Sequence, residues 1–214
     1  MQNKKIQSIH EEACVQISGA LAKLTCRRAI VDIVNPNLKK VEEFCPTIGL
    51  KEEGAGVCLP FSGAIKGIAL LLFSQETVFN LADLLIKGEV GTTRELTELD
   101  KSALEELGNI VCGTYLATFS NQTRTKIVQH APVFSFDMLG SILEQTITKF
   151  AQRSEKVLAI ETEFNFTVLI LKDYFFRSYF VVLFETRRLE AVLDSSESYE
   201  PAPLLRRGNN FAQE

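Results

Sequence analysis

Apolar residues recur at three- and four-residue steps over positions 5–25: Ile6, Ile9, Ala13, Ile17, Ala20, Leu21 and Leu24. That spacing predicts an amphipathic helix with one buried face, ending near Thr25. The run Ala29-Ile30-Val31-Asp32-Ile33-Val34 predicts a strand, and Asn35-Pro36-Asn37 predicts a turn after it. Residues 37–53 carry Pro46 and Gly49 as breakers and predict a short helix or an irregular segment. Gly56 to Phe61 and Ile65 to Phe73 predict two strands, joined by Ser62-Gly63-Ala64 as a hairpin turn. Glu76 to Lys87 predicts a helix that stops at Gly88.

The polar, glycine-containing stretch from Gly88 to Thr97 reads as a linker. A long helix is predicted from about Glu98 to Ser120, then a strand over Lys126 to His130 that ends at Ala131-Pro132, then a helix over Met138 to Gln152. Lys156 to Phe164, Thr167 to Lys172 and Phe175 to Phe184 predict three consecutive strands, with Asp173-Tyr174 at a hairpin turn. Arg187 to Leu193 predicts a short helix. Residues 195–214 are polar with two prolines and are expected to be mobile, with Leu204, Leu205 and Phe211 available to dock on a partner.

The order of elements occurs roughly twice. An offset of 94 places Ser8, Glu12 and Gly19 on Ser102, Glu106 and Gly113. An offset of 98 places Thr25 to Ile30 on Thr123 to Val128, and one of 111 places Ala69 to Phe73 on Phe180 to Phe184. The organisation expected is one α+β domain over residues 1–194, built from two diverged, pseudo-symmetric halves at about 5–88 and 98–194. The halves are expected to share a mainly antiparallel sheet flanked by long helices.

Composition narrows the function classes. The 214 residues carry a net charge of −4, with 46% hydrophobic and 23% charged residues. The basic clusters Arg27-Arg28 and Arg206-Arg207 are short, which argues against nucleic acid as a partner. No stretch reaches about 18 apolar residues, and the N-terminus lacks the apolar core of a secretory signal. No membrane span is therefore expected, and a cytoplasmic location is. Cys14, Cys26, Cys45, Cys58 and Cys112 are odd in number and scattered, so reduced, mostly buried thiols are expected. His10 and His130 are the two histidines and are read as ordinary surface or strand-end residues. No metal or cofactor site is expected in this chain.

The chemistry lies on the second long helix. At about 100° per residue, Leu104, Leu107, Val111, Tyr115 and Thr118 gather on one face, which should be core. Ser102, Glu106, Asn109 and Gly113 fall in one stripe on the opposite side, which should meet solvent. Gly113 leaves that stripe open to close approach by another molecule, whereas Gly108, nearer the core side, suits a close helix–sheet or helix–helix contact. Glu106 and Asn109 can reach one target together. An amide neither accepts nor releases a proton in catalysis, but its donors and acceptor can fix a water in line with a bond to be broken. Phosphoryl transfer relies mainly on position and electrostatics, so such a group suffices without a strong base. Spacing alone equally fits a solvated helix face.

The pattern Ser102-x-x-x-Glu106-x-x-Asn109, followed by Pro132, resembles the signature of the CheC/CheX/FliY family of chemotaxis phosphatases. The settings Glu106-Leu107-Gly108-Asn109-Ile110 and Leu70 to Ser74 leading into Leu81 to Leu85 are also similar to that family, over roughly residues 5–194. The resemblance implies a CheC-like fold and hydrolysis of the aspartyl phosphate of a CheY-like response regulator. It implies that Glu106 pairs with a lysine of the regulator, that Asn109 orients the attacking water, and that Ser102 supports the contact surface. It places the Mg²⁺ in the phosphorylated partner and allows a CheD-like protein as a further partner. In the first half Ser8 and Glu12 keep two motif positions, but Val15 stands where Asn is required and Pro36 falls two residues short of the proline position. One active site per chain is expected. The alternative is a module that binds a phosphorylated receiver, or a flagellar motor component, without hydrolysis.

Overall fold

The apolar stripe at the N-terminus forms helix α1 (Gln2–Thr25), with Ile6, Ile9, Ala13, Ile17 and Leu21 fully buried. The computed structural model describes residues 2–25, 28–40, 51–87, 90–151, 157–169, 174–185, 189 and 191–193. After α1 come strands β1 (Arg28–Lys40), β2 (Glu53–Gly63) and β3 (Gly67–Ser74), helix α2 (Gln75–Ala82) and a π-helical turn at Asp83–Lys87. The second half runs α3 (Glu98–Thr123), β4 (Ile127–Gln129), β5 (Val133–Met138), α4 (Leu139–Ala151), β6 (Val157–Leu169) and β7 (Tyr174–Glu185). Leu189 and residues 191–193, within the short helix anticipated near the end, are helical. Residues 37–40, expected in a short helix or irregular segment, belong to β1 because they pair with β6, and residues 41–50, the stop at Gly88, the turn residue Asp173, Cys26, Cys45 and the 195–214 tail lie outside the described residues.

The strands form one antiparallel sheet in the order β1-β6-β7-β3-β2-β4, with β5 also paired to β2. The fold is thus α+β, as expected. Helices α1, α2 and α3 cover one face, where Ala69, Leu71 and Phe73 of β3 and Phe180, Val182 and Phe184 of β7 join their core. Helix α4 covers the other face and buries Leu70, Leu72, Val181 and Leu183 with its own Leu139, Ile142 and Leu143. Burial on both faces is why β3 and β7 read as unbroken apolar runs.

The halves exchange strands. β1 pairs with β6, and β4 pairs with β2, so each half lends its first strand to the other's hairpin. Leu70 sits opposite Val181, 111 positions later, so at this central pair each strand meets its own counterpart. The ladders also correct one offset. Gly67 and Ser178 are 111 apart; their partners are Phe61 and Phe164; those in turn face Gln129 and Ile33, which are 96 apart rather than 98. At that offset Pro36 falls on the position of Pro132, not two residues short of it.

Both prolines interrupt edge strands, where the missing N–H is tolerated. The turn anticipated at Asn35-Pro36-Asn37 is instead a register shift between Val34 and Asn37 within β1. Pro132 lies in the gap between β4 and β5, just after the point where the His130 N–H donates to the Pro60 carbonyl of β2 at 2.9 Å. Strand β5 was not anticipated. The break expected between two strands at Asn165-Phe166 is absent: β6 runs unbroken from Val157 to Leu169 because β1 and β7 hold it on both sides. Tyr174 is the first residue of β7, paired with Val168 of β6 in the antiparallel hairpin anticipated there.

Candidate functional site

Helix α3 is fixed at both ends. Thr97 caps its start: the Asp100 N–H donates to Thr97 Oγ1, and the Thr97 N–H donates to Asp100 Oδ2 at 2.8 Å. Such a cap contributes about 1 kcal/mol. Arg124, with φ 52°, ends the helix in the left-handed region. Leu104, Leu107, Val111, Tyr115 and Thr118 are buried, as the periodicity predicts, together with Cys112, Leu116 and Phe119. Gly108 allows the helix to sit directly on β2, since a Cβ there would lie 2.5 Å from Val57 Cβ.

The loop before α3 is not a loose linker. Asp83 is fully buried, and its carboxylate accepts from the backbone N–H groups of Gly91, Thr92 and Thr93 and from both threonine hydroxyls. Burial alone would raise its pKa, but the hydrogen bonds from Thr93 and Thr92 outweigh it and hold the carboxyl well below the ordinary range. His10, read as a surface residue, is also buried. Its Nδ1 donates to the Ile6 carbonyl at 2.8 Å, and its ring meets Tyr115 of α3 edge-on, with centroids 5.1 Å apart. Burial pushes its pKa down to about 4, against a smaller upward pull from the Ile6 carbonyl. A neutral imidazole thus lies between α1 and α3.

On the outer side of α3, Ser102 and Glu106 are exposed and Asn109 and Gly113 are half-buried. Asn109 Nδ2 donates to Glu106 Oε2 at 3.4 Å, so carboxylate and carboxamide lie side by side. That bond turns the amide's donor toward Glu106 and leaves Asn109 Oδ1 without a donor among the described residues. The space over Gly113 is not open as anticipated. Gln129 of β4 occupies it, donating from Nε2 to the Gly113 carbonyl at 3.0 Å. Only the tertiary pairing of β4 with β2 brings Gln129 there, and no local signal in the sequence marks it.

The corresponding stripe on α1 differs. Ser8, Glu12 and Gly19 are exposed, but Glu12 accepts a hydrogen bond from Gln122 of α3, and Val15 is 69% exposed where α3 carries Asn109. Of the described thiols, Cys112 is buried, Cys14 and Cys58 are half-buried, and none of the three is in a disulfide. His130 is exposed beyond β4, with Nε2 2.9 Å from Ser62 Oγ. Among the described residues no cluster of His, Cys, Asp or Glu could hold a metal ion, and no helix is long and apolar enough to cross a membrane.

No family model matches the chain. The CheY-P phosphatase CheC of Bacillus subtilis (strain 168) is 25% identical over 152 residues, 68% of this chain and 71% of that protein. A putative CheY-P phosphatase, CheC1 of Halobacterium salinarum, is 22% identical over 121 residues, 55% of this chain and 62% of that one. Among solved structures, FliY of Thermotoga maritima is similar with a TM-score of 0.63 at 18% identity, covering 89% of this chain and 94% of that one. The FliM middle domain of Vibrio alginolyticus gives a TM-score of 0.59 at 18% identity, covering 88% and 97%. These two likenesses describe the fold, and the CheC proteins supply the relationship in sequence. The chain is thus a distant relative in sequence of the CheC proteins and carries a fold like that of FliY and the FliM middle domain.

Proposed function

We propose that this chain hydrolyses the aspartyl phosphate of a CheY-like response regulator, with Glu106 and Asn109 as its catalytic pair. The observation that carries the reading is the placement of these two side chains, 3.4 Å apart, on the outer stripe of a helix held by a cap, a buried face and a buried aspartate. The relationship to CheY-P phosphatases supports it. Asn109 Oδ1 accepts a hydrogen from the attacking water and so aims the water's lone pair at phosphorus. Glu106 anchors a cationic side chain of the regulator. The P–O bond to the regulator's aspartate breaks, releasing inorganic phosphate and a free carboxylate. The Mg²⁺ that neutralises charge in this reaction belongs to the regulator's own site. Ser102 extends the contact surface. The first-half stripe, with Val15 in place of an amide, takes no part in the chemistry.

The test is phosphate release from phosphorylated CheY-like receivers in the presence of Mg²⁺. Asn109→Ala is expected to lower the stimulated rate at least about a hundredfold, the scale of losing a group that positions a reactant. Its folding stability should stay close to the parent's. Full activity in that variant refutes the mechanism. Binding of the receiver without faster release supports the non-catalytic alternative instead.

A further inference from the structure

We infer that Gln129 is a partner-contacting residue of the α3 site, whose amide oxygen accepts a hydrogen bond from an N–H donor on the docked receiver domain. The inference rests on the reading above and adds a residue from outside the helix. Gln129 Oε1 stands 2.9 Å from the point where a Cβ of residue 113 would lie. It therefore takes the place of a side chain on the stripe, one turn, about 6 Å, beyond Asn109. Its Nε2 is committed to the Gly113 carbonyl at 3.0 Å, which fixes the amide at one end. Oε1 has no donor among the described residues, and the side chain is exposed. A pinned acceptor loses little conformational entropy when a donor reaches it, which favours recognition over a freely rotating glutamine.

The other half lacks this arrangement. Gly19 corresponds to Gly113, and among the described residues nothing lies within 4 Å of its Cβ position. Ile33 takes the place of Gln129 in the register. The glycine–glutamine contact thus occurs beside the stripe that carries Glu106 and Asn109, and not beside the stripe that carries Val15.

A contact residue and a mere tether between β4 and α3 predict different results. In Gly113→Ala the new Cβ displaces only the far end of a flexible side chain, and Ala is the better helix former. A tether would couple the loss of the Gln129 contact to lower stability. A contact residue loses recognition while stability holds or rises.

The experiment uses the full chain and CheY-like receivers phosphorylated by a small-molecule phosphodonor, measuring kcat, KM, receiver affinity and melting temperature. Gln129→Ala is expected to raise KM about three- to tenfold with kcat within about twofold, the scale of one interfacial hydrogen bond. Gly113→Ala should raise KM by a similar factor at an equal or higher melting temperature. The double variant should be no worse than the more affected single one. If Asn109→Ala abolishes turnover but both Gln129→Ala and Gly113→Ala keep the parent KM, the inference falls and the proposed function stands. A lower melting temperature at unchanged KM makes Gln129 a tether and also overturns it. If receivers are bound but not dephosphorylated, the proposed function falls and the same variants decide the inference through the dissociation constant. If no receiver is bound or turned over, both fall.

Discussion

Replacing Gly108 by alanine tests how tightly the site-bearing helix is seated. The new Cβ would lie 2.5 Å from both Val57 Cβ and Cγ1 and 2.8 Å from Cγ2. Carbon atoms prefer about 3.5–4.0 Å, so α3 or β2 must yield by about 1 Å. Rotating Val57 offers no escape, because its Cβ is itself one of the colliding atoms and is fixed by the strand. Over-packing costs about 1–3 kcal/mol, and a collision with a Cβ fixed by its strand falls in the upper part of that range, about 2–3 kcal/mol, while exchanging glycine for alanine inside a helix returns about 1 kcal/mol. The expected net loss is about 1–2 kcal/mol, or a fall in melting temperature of about 2–8 °C for a chain of this size. Urea denaturation at pH 7 measures it, with the slope unchanged from the parent. Val57→Ala leaves the Cβ contact in place and should restore only part of the loss. The reasoning is refuted if Gly108→Ala is as stable as the parent or more so, since Gly108 would then behave like Gly113 and α3 would have room above β2.

Two further outcomes concern buried titratable groups. His10 has a folded pKa of about 4 against the ordinary 6.5, so the unfolded chain takes up a proton first and stability falls as pH drops between those values. Between pH 7 and 5 that amounts to about 2 kcal/mol, and His10→Phe should abolish this part of the acid sensitivity in denaturant melts at the two pH values. Asp83→Ala leaves the N–H groups of Gly91, Thr92 and Thr93 without their acceptor and should cost about 3 kcal/mol or more, measured the same way at pH 7. Because the folded carboxyl titrates below the ordinary value of 3.8, the stabilisation from Asp83 is present above that pH and lost only as pH falls through the folded pKa.

The two faces of α3 were legible because helical geometry is local. Positions 104, 107, 111, 115 and 118 coincide at 100° per residue whatever surrounds them, and all five are buried. The apolar runs of β3 and β7 were legible for a similar reason, as strands covered on both faces need apolar residues throughout. Strand β5 alternates over Phe134-Ser135-Phe136-Asp137-Met138, but so short a run between a proline and a helix start does not declare a strand by itself. Its counterpart at the 96 offset, Asn37 to Lys40 of β1, would have announced it had the halves been aligned by ladder register. His10 reads as a surface residue because polarity in sequence implies exposure, whereas the fold supplies its ring with the Ile6 carbonyl; the five donor groups around Asp83 likewise come only from the fold.

Residue types and their spacing settled by themselves that a carboxylate and a carboxamide share the outer stripe of one helix, because 3.6 residues per turn holds in any environment. Residue identity alone also distinguishes the half that retains both groups, since Val15 stands in place of the amide on α1. What only the tertiary structure decided is how that stripe is completed. Exchange of β1 and β4 between the halves lays Gln129 over Gly113, and the absent Cβ at Gly108 lets α3 rest against Val57. Contacts between residues 16 and 51 positions apart depend on strand register and helix seating, which no local pattern encodes.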